Sequence, residues 1–186
     1  SMREVFQKEL AEVQGRLVEI AESVTHIIKD ATEAFTTSNA LLAERAIGMA
    51  ESNESKALAL DELVIRILSR QSPVARDLRI LVSALRISAS LERMGSLAGH
   101  IAAIARYRFP GSAVPASLAA TFAEMGKLDV ALGRSCVDLL RNTDVDLARK
   151  IQAEDARVDE LHRSVFNVVL GDDWKENAMY TVDVTL

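Results

Sequence analysis

Cysteine is nearly missing from this sequence: Cys136 stands alone among 186 residues, so no intrachain disulfide framework is available. With nothing resembling a secretory signal either, a reducing, cytoplasmic compartment is the default expectation. Proline is scarce as well. Pro73, Pro110 and Pro115 are the three present, which leaves long stretches without the residue that most reliably breaks a helix. Aromatic residues make up 4% of the chain and the formal net charge is −5, with no basic tail. A base-stacking surface and a general grip on a phosphate backbone are therefore not expected, and neither is nucleic-acid binding. No apolar run approaches the roughly 18 to 20 residues that a membrane-spanning helix needs, because charges interrupt every segment, so membrane contact would have to pass through a partner. Glycine-rich phosphate loops, nucleophile and base pairings and zinc-type cysteine spacings are also missing, and the chain is not expected to be an enzyme.

What is there is helix. Hydrophobic residues are 49% of the chain, and between the prolines the sequence is rich in Ala, Leu, Glu and Arg. In the first segment Phe6, Leu10, Val13, Leu17, Ile20, Val24, Ile27, Ala31 and Ala34 follow one another at alternating spacings of four and three. That period of about 3.5 residues specifies a long helix in a left-handed bundle. Ser38 and Asn39 are placed to cap a second helix carrying Leu42, Ala46, Met49, Leu60, Leu63 and Ile67. Ser72 followed by Pro73 puts proline at the first turn of a third, running to about Arg108. The stretch from Phe109 to Pro115 cannot continue a helix; after it, Leu118, Phe122, Met125, Leu132, Cys136 and Leu139 mark a fourth. A fifth is expected from Thr143 or Asp144 to about Leu170.

The halves match without a gap at an offset of 105, with Ser38, Asn39, Leu42 and Ala43 falling on Thr143, Asp144, Leu147 and Ala148. An internal duplication of a three-helix unit explains this. The expected fold class is all-α, two tandem three-helix bundle repeats: a first unit over residues 2–109, a linker over 110–116 and a second unit over 117–186. The same offset puts the counterpart of the third helix at about 178–213, so the sixth helix is expected to be only begun in this sequence, which ends at Leu186. An apolar strip left uncovered by that helix favours association, and a homodimer is expected.

Charged residues interrupt two of the apolar seams. In the fifth segment Ile151, Val158, Val165 and Val169 alternate with Asp155 and His162, and Asp159 lies one turn beyond Asp155 on the same face. Two carboxylates at that spacing repel until a cation arrives, and acids from facing helices would make an oxygen-rich metal site. A solvated face salt-bridged to Arg157 or Arg163 accounts for the spacing equally well. In the third segment Glu92 continues the seam of Val74, Leu78, Leu81, Leu85 and Ser88, followed by the small residues Gly95 and Gly99. Arg76, Arg79, Arg86 and Arg93 form a stripe along that helix that could dock an acidic partner or simply face solvent.

The stretches Gln71-Ser72-Pro73-Val74-Ala75-Arg76-Asp77-Leu78-Arg79, Leu91-Glu92-Arg93-Met94-Gly95 and Asp155-Ala156-Arg157-Val158-Asp159 resemble signatures of the PhoU family, in an actinobacterial-like form. The resemblance implies an adaptor between the ATPase of the Pst phosphate importer and a PhoR-type histidine kinase. That adaptor lies at the inner face of the membrane and represses phosphate uptake and the phosphate-starvation response. It also implies acid-x-x-x-acid pairs on the second and third helix of each repeat, holding iron, zinc or another divalent metal. Here the pattern is incomplete. Asp155 and Asp159 are both present, but in the first repeat Ala50 precedes Glu54 and Ser96 follows Glu92, so Glu54 and Glu92 alone hold motif positions. Metal is therefore expected to be stronger in the second repeat, and weakly held or absent in this chain. Two other readings remain open: a helical scaffold that binds no metal, and a ferritin-like di-iron enzyme. For the second, the Glu-x-x-His pairs are lacking and Asp159-x-x-His162 alone comes near.

Overall fold

The break between the first two helices is made by two adjacent polar residues with different tasks. Ser38 takes a left-handed backbone conformation, φ 56 and ψ 42, and the Asn39 N–H donates back to the Ala34 carbonyl at 3.1 Å. The Asn39 side-chain Oδ1 then accepts from the Leu42 N–H at 3.1 Å, capping the next helix. So Ser38 ends one helix and Asn39 begins the other, a division of labour that their shared capping chemistry does not reveal in sequence.

The computed structural model describes residues 1–70, 72–108 and 116–142, together with the separate helical positions 156, 157, 160 and 163. Its long elements are α1 (Met2–Thr37), α2 (Ala40–Arg70), α3 (Ala75–Arg108) and α4 (Ala116–Arg141), and no strand occurs among the described residues. The fold is all-α, as the periodicity requires. α3 starts two residues later than expected, at Ala75, with its first helical bond running from the Leu78 N–H to the Val74 carbonyl at 3.0 Å. Pro73 therefore precedes the helix. The fifth helix expected after Thr143 and the beginning of a sixth lie outside the continuously described residues.

α1, α2 and α3 pack on one another, and α4 packs on α1. Consequently α1 is buried on two sides. Leu17, Ile20, Val24 and Ile27 are completely shielded, and Val24 and Ile27 reach toward Gly95 of α3. On another side Thr25 and Thr32 face Gly133 and Gly126 of α4. Phe35 meets Phe122 edge to face at 5.8 Å, and Gln14 Nε2 donates to the Leu140 carbonyl at 2.6 Å. The α1/α2 pair is tied at both ends by a buried carboxylate and an exposed arginine. Arg45 grips Asp30 with two hydrogen bonds, 2.9 and 3.3 Å, and Arg70 reaches Glu9 at 3.0 Å. The hydrogen bond and charge of Asp30 push the Arg45 pKa up from its ordinary value.

The expected seam of α3 enters the core from Leu81 onward, where Leu81 and Ser88 are buried and Leu85 packs against it, and fails at its start. Ile80, Leu81, Ala84, Ile87, Ser88, Leu91 and Met94 are buried, whereas Val74 is 67% and Leu78 42% exposed. α3 offers apolar neighbours side by side at Ile80 and Leu81 and again at Ala84 and Leu85, so more than one line could be drawn through it. Packing selects the line that α1 and α2 can both cover.

The α1/α4 approach generates a direct test. A Cβ added at Gly126 would lie 2.2 Å from Thr32 Cγ2, and one at Gly133 2.5 Å from Thr25 Oγ1, whereas at Gly15 nothing stands within 4 Å. Gly126→Ala is expected to destabilise the fold by about 1–3 kcal/mol through overpacking. Gly15→Ala is expected to stabilise it by about 0.5–1 kcal/mol, the ordinary gain for a helix interior. Thermal unfolding of the two variants beside the parent, showing the same sign for both, would contradict the packing described.

Candidate functional site

The face between α2 and α3 that holds the candidate acids is built on small residues. A Cβ at Gly99 would stand 2.8 Å from Ala50 Cβ, and one at Gly95 2.9 Å from Asn53 Nδ2. The two glycines thus bring the α3 backbone against α2, pairing the level of Ala50 with Gly99 and that of Asn53 with Gly95. Asn53 is 1% exposed and its Oδ1 accepts no hydrogen bond; Ser88 Oγ, two turns before Gly95, is likewise buried without a partner. Such groups are costly to bury and rare in native cores. Asn53 was not picked out from sequence. The signal available was an amide between Ala50 and Ala57 on the buried side of α2, where an apolar residue is the rule.

The expected metal positions fall around this contact. Glu54 follows Asn53 on α2 and is exposed; Glu92 and Ser96 of α3 are half-buried; Ala50 is buried. Glu54 and Glu92 therefore flank the same helix pair. Among the described residues no three His, Cys, Asp or Glu side chains come together as a metal-holding group. At Ala50 a methyl group packs where the resemblance calls for a carboxylate, and the Gly99 backbone closes against it. A multinuclear site needs several carboxylates to bridge adjacent cations, and Glu54 and Glu92 are the two that the described part of this helix pair offers at motif positions. Asp155 and Asp159 lie outside the described residues. Of the remaining candidates, Cys136 is buried and, as the one cysteine of the sequence, forms no intrachain disulfide, while His26 is exposed and His100 half-buried.

The arginine stripe is solvent-facing. Arg76, Arg79, Arg86 and Arg93 are all exposed, and Arg93 Nη2 donates to Ser90 Oγ at 3.1 Å. Arg76 also makes an interaction within the protein. Beside the stripe, at four-residue spacing, run Val74, Leu78 and Val82, whose exposures of 67%, 42% and 37% are high for aliphatic residues. Sequence periodicity assigned Val74 and Leu78 to the core. Their exposure turns one side of α3 into a surface that is both apolar and cationic, the composition that docks an amphipathic partner carrying acidic groups.

The PhoU domain family matches residues 17–105, from the first half of α1 to near the end of α3. The chain is 37% identical over 185 residues to the phosphate-specific transport system accessory protein PhoU homolog 2 of Mycobacterium tuberculosis, covering 100% of this chain and 87% of that protein. To PhoU homolog 1 of Mycobacterium leprae it is 35% identical, covering 100% of this chain and 83% of the relative. The crystal structure of PhoU from Pseudomonas aeruginosa superposes with a TM-score of 0.68 at 20% identity, covering 97% of this chain and 98% of that one, a likeness of fold.

The glycine contacts supply a test of this face. Relieving the clash at Gly95 needs only a shift of the Asn53 amide, but at Gly99 the opposing atom is the Ala50 Cβ, fixed to the α2 backbone. Gly99→Ala is thus expected to cost more stability than Gly95→Ala, by about 1 kcal/mol or more. Denaturant midpoints measured on both variants, with Gly99→Ala the milder, would refute the helix approach at Ala50.

Proposed function

This chain belongs to the PhoU family, and from that premise we propose that it is a non-enzymatic accessory protein of a phosphate-specific transport system. In this reading it acts at the cytoplasmic face of the membrane, as a homodimer. It joins the ATPase of the Pst importer to a PhoR-type sensor kinase and represses uptake and the starvation response when phosphate is plentiful. That its mycobacterial relatives are phosphate-specific transport system accessory proteins supports the transport association. The observation that carries the adaptor reading is the exposed side of α3, where Val74, Leu78 and Val82 run beside Arg79 and Arg86. An adaptor needs helix faces that bind other proteins. Burying those aliphatic side chains against a partner stabilises the complex, while the guanidinium groups select a partner with carboxylates in register.

The metal part of the reading is narrower. We propose that Asp155 and Asp159 are the principal ligands of any iron, zinc or other divalent ion, and that Glu54 and Glu92 contribute weakly. The competing reading, a helical scaffold without metal, is favoured in the first three helices by the Ala50 methyl seated against Gly99.

Two measurements test the proposal. Val82→Glu combined with Arg79→Glu replaces exposed side chains, so the fold is expected to stay intact while capture of the importer ATPase and the kinase from phosphate-replete membranes falls at least about tenfold. Unchanged capture of both partners would remove α3 from the interface, and failure of the parent protein to capture either would overturn the adaptor role. Elemental analysis of Asp155→Ala plus Asp159→Ala, beside Glu54→Ala plus Glu92→Ala, is expected to show the larger loss of metal in the first pair. The reverse order would move the site to the first three helices.

A further inference from the structure

A cleft of about 480 Å³ opens along the junction of α1 and α4, on helices that carry neither Glu54 and Glu92 nor the arginine stripe, and its walls carry Lys29 and Thr32 from α1 and Lys127, Val130 and Arg134 from α4. Glu33 is the carboxylate among its lining residues. Elsewhere in the described residues Arg16, Arg45, Arg70 and Arg141 have carboxylate partners in Glu12, Asp30, Glu9 and Glu22. No such ion pair forms at Lys29, Lys127 or Arg134 among the described residues. Three cations facing one cleft repel each other, and in a chain of net charge −5 they are not a by-product of a basic composition.

A second cleft of about 270 Å³ shares Lys29, Val130 and Arg134 with the first and adds the carboxylates of Glu22 and Asp138, so the excess of cations is larger in the first. In the second, Arg141 is engaged by Glu22. Lys29 and Arg134 are separated by 105 positions, the offset at which the two halves of the sequence align, so the central cation pair recurs at matched positions of the two packed helices. Thr32 adds a hydroxyl at the cleft floor, next to Gly126. Thr36 spends its own hydroxyl on the Thr32 carbonyl at 2.9 Å and adds only its methyl group to the wall.

We propose that this cleft binds a phosphate group, carried by a small organic molecule. A carboxylate is satisfied by one guanidinium, whereas a phosphate dianion has the charge and the oxygen atoms to engage Lys29, Lys127 and Arg134 together. The volume exceeds what a bare oxyanion fills and lies within the range of small-molecule sites. Ala123, Val130 and Ala131 form an apolar wall for the organic part. This site stands independently of the adaptor reading, because neither importer nor kinase is needed to occupy it.

Calorimetric titration of the full chain at fixed ionic strength with a nucleoside monophosphate, the parent nucleoside and inorganic phosphate tests the proposal. The monophosphate is expected to bind once per chain, inorganic phosphate more weakly and the uncharged nucleoside not at all. Equal affinity for monophosphate and free phosphate would retain the anion site and assign free phosphate as its ligand. Lys29→Gln with Arg134→Gln is expected to weaken binding at least about tenfold, as loss of two charge-assisted contacts requires. Ala131→Glu, at an exposed lining position, is expected to do the same by repulsion and guards against a fold defect in the double variant. Lys8→Gln, far along α1, is expected to change nothing. No heat from either phosphate probe at millimolar concentration would overturn the site, as would binding that both cleft variants leave intact.

Discussion

α1 has to satisfy two sets of neighbours at once, and the arrangement of the other helices follows from that demand. Its completely shielded residues Leu17, Ile20, Val24 and Ile27 belong to a core shared with α2 and α3. Thr25 and Thr32 lie against glycines of α4 instead. A helix buried on one stripe tolerates polar residues elsewhere, but here Glu9, Ser23, Thr25 and Asp30 are buried as well. Each has to be accommodated or it would cost more than its burial returns. Thr25 returns its hydroxyl to the Ala21 carbonyl at 2.7 Å, Asp30 takes both hydrogen bonds of Arg45, and Glu9 is held by Arg70 through one oxygen while its other oxygen has no partner. Polar accommodation and glycine contacts together let one helix serve two interfaces.

Much of this was legible in the residues. The alternation of four and three along α1 and the polar pair Ser38 and Asn39 define the first two helices because each acts locally, through side-chain period or capping. The second buried face of α1 was not legible, since Thr25 and Thr32 lie off the apolar seam and are covered only where α4 packs on them. Val74 and Leu78 failed in the opposite direction. Their spacing is that of a core seam, but the core is chosen by what faces it, and Ile80 and Ala84 hold the place. At the α2/α3 face, Glu54 and Glu92 were named by resemblance, and the structure places them around a contact that spacing alone could not have located. The cleft cations lie too far apart in sequence for any local pattern to join them, apart from the shared offset of Lys29 and Arg134.

The two faces considered for function differ in how they depend on packing. The exposed side of α3 is a property of one helix and survives changes elsewhere as long as α3 is formed. The α1/α4 cleft exists only while two helices keep a fixed separation, and Gly126 and Gly133 set that separation. Binding energy at the cleft is therefore coupled to the same contacts that hold α4 in place, since a ligand that binds the packed arrangement stabilises it by mass action.

The connection between α1 and α2 leaves little slack. With Ser38 locked in a left-handed conformation and Asn39 already capping the next helix, no free residue remains to absorb a displacement. Two helices of 36 and 31 residues are thus joined as if by a bracket, and Arg45 on Asp30 stiffens the corner a few turns away. Because Arg70 holds Glu9 at the opposite end of the pair, a push on the far end of α2 moves α1 and α2 together as one rigid body, and neither swings about residues 38 and 39.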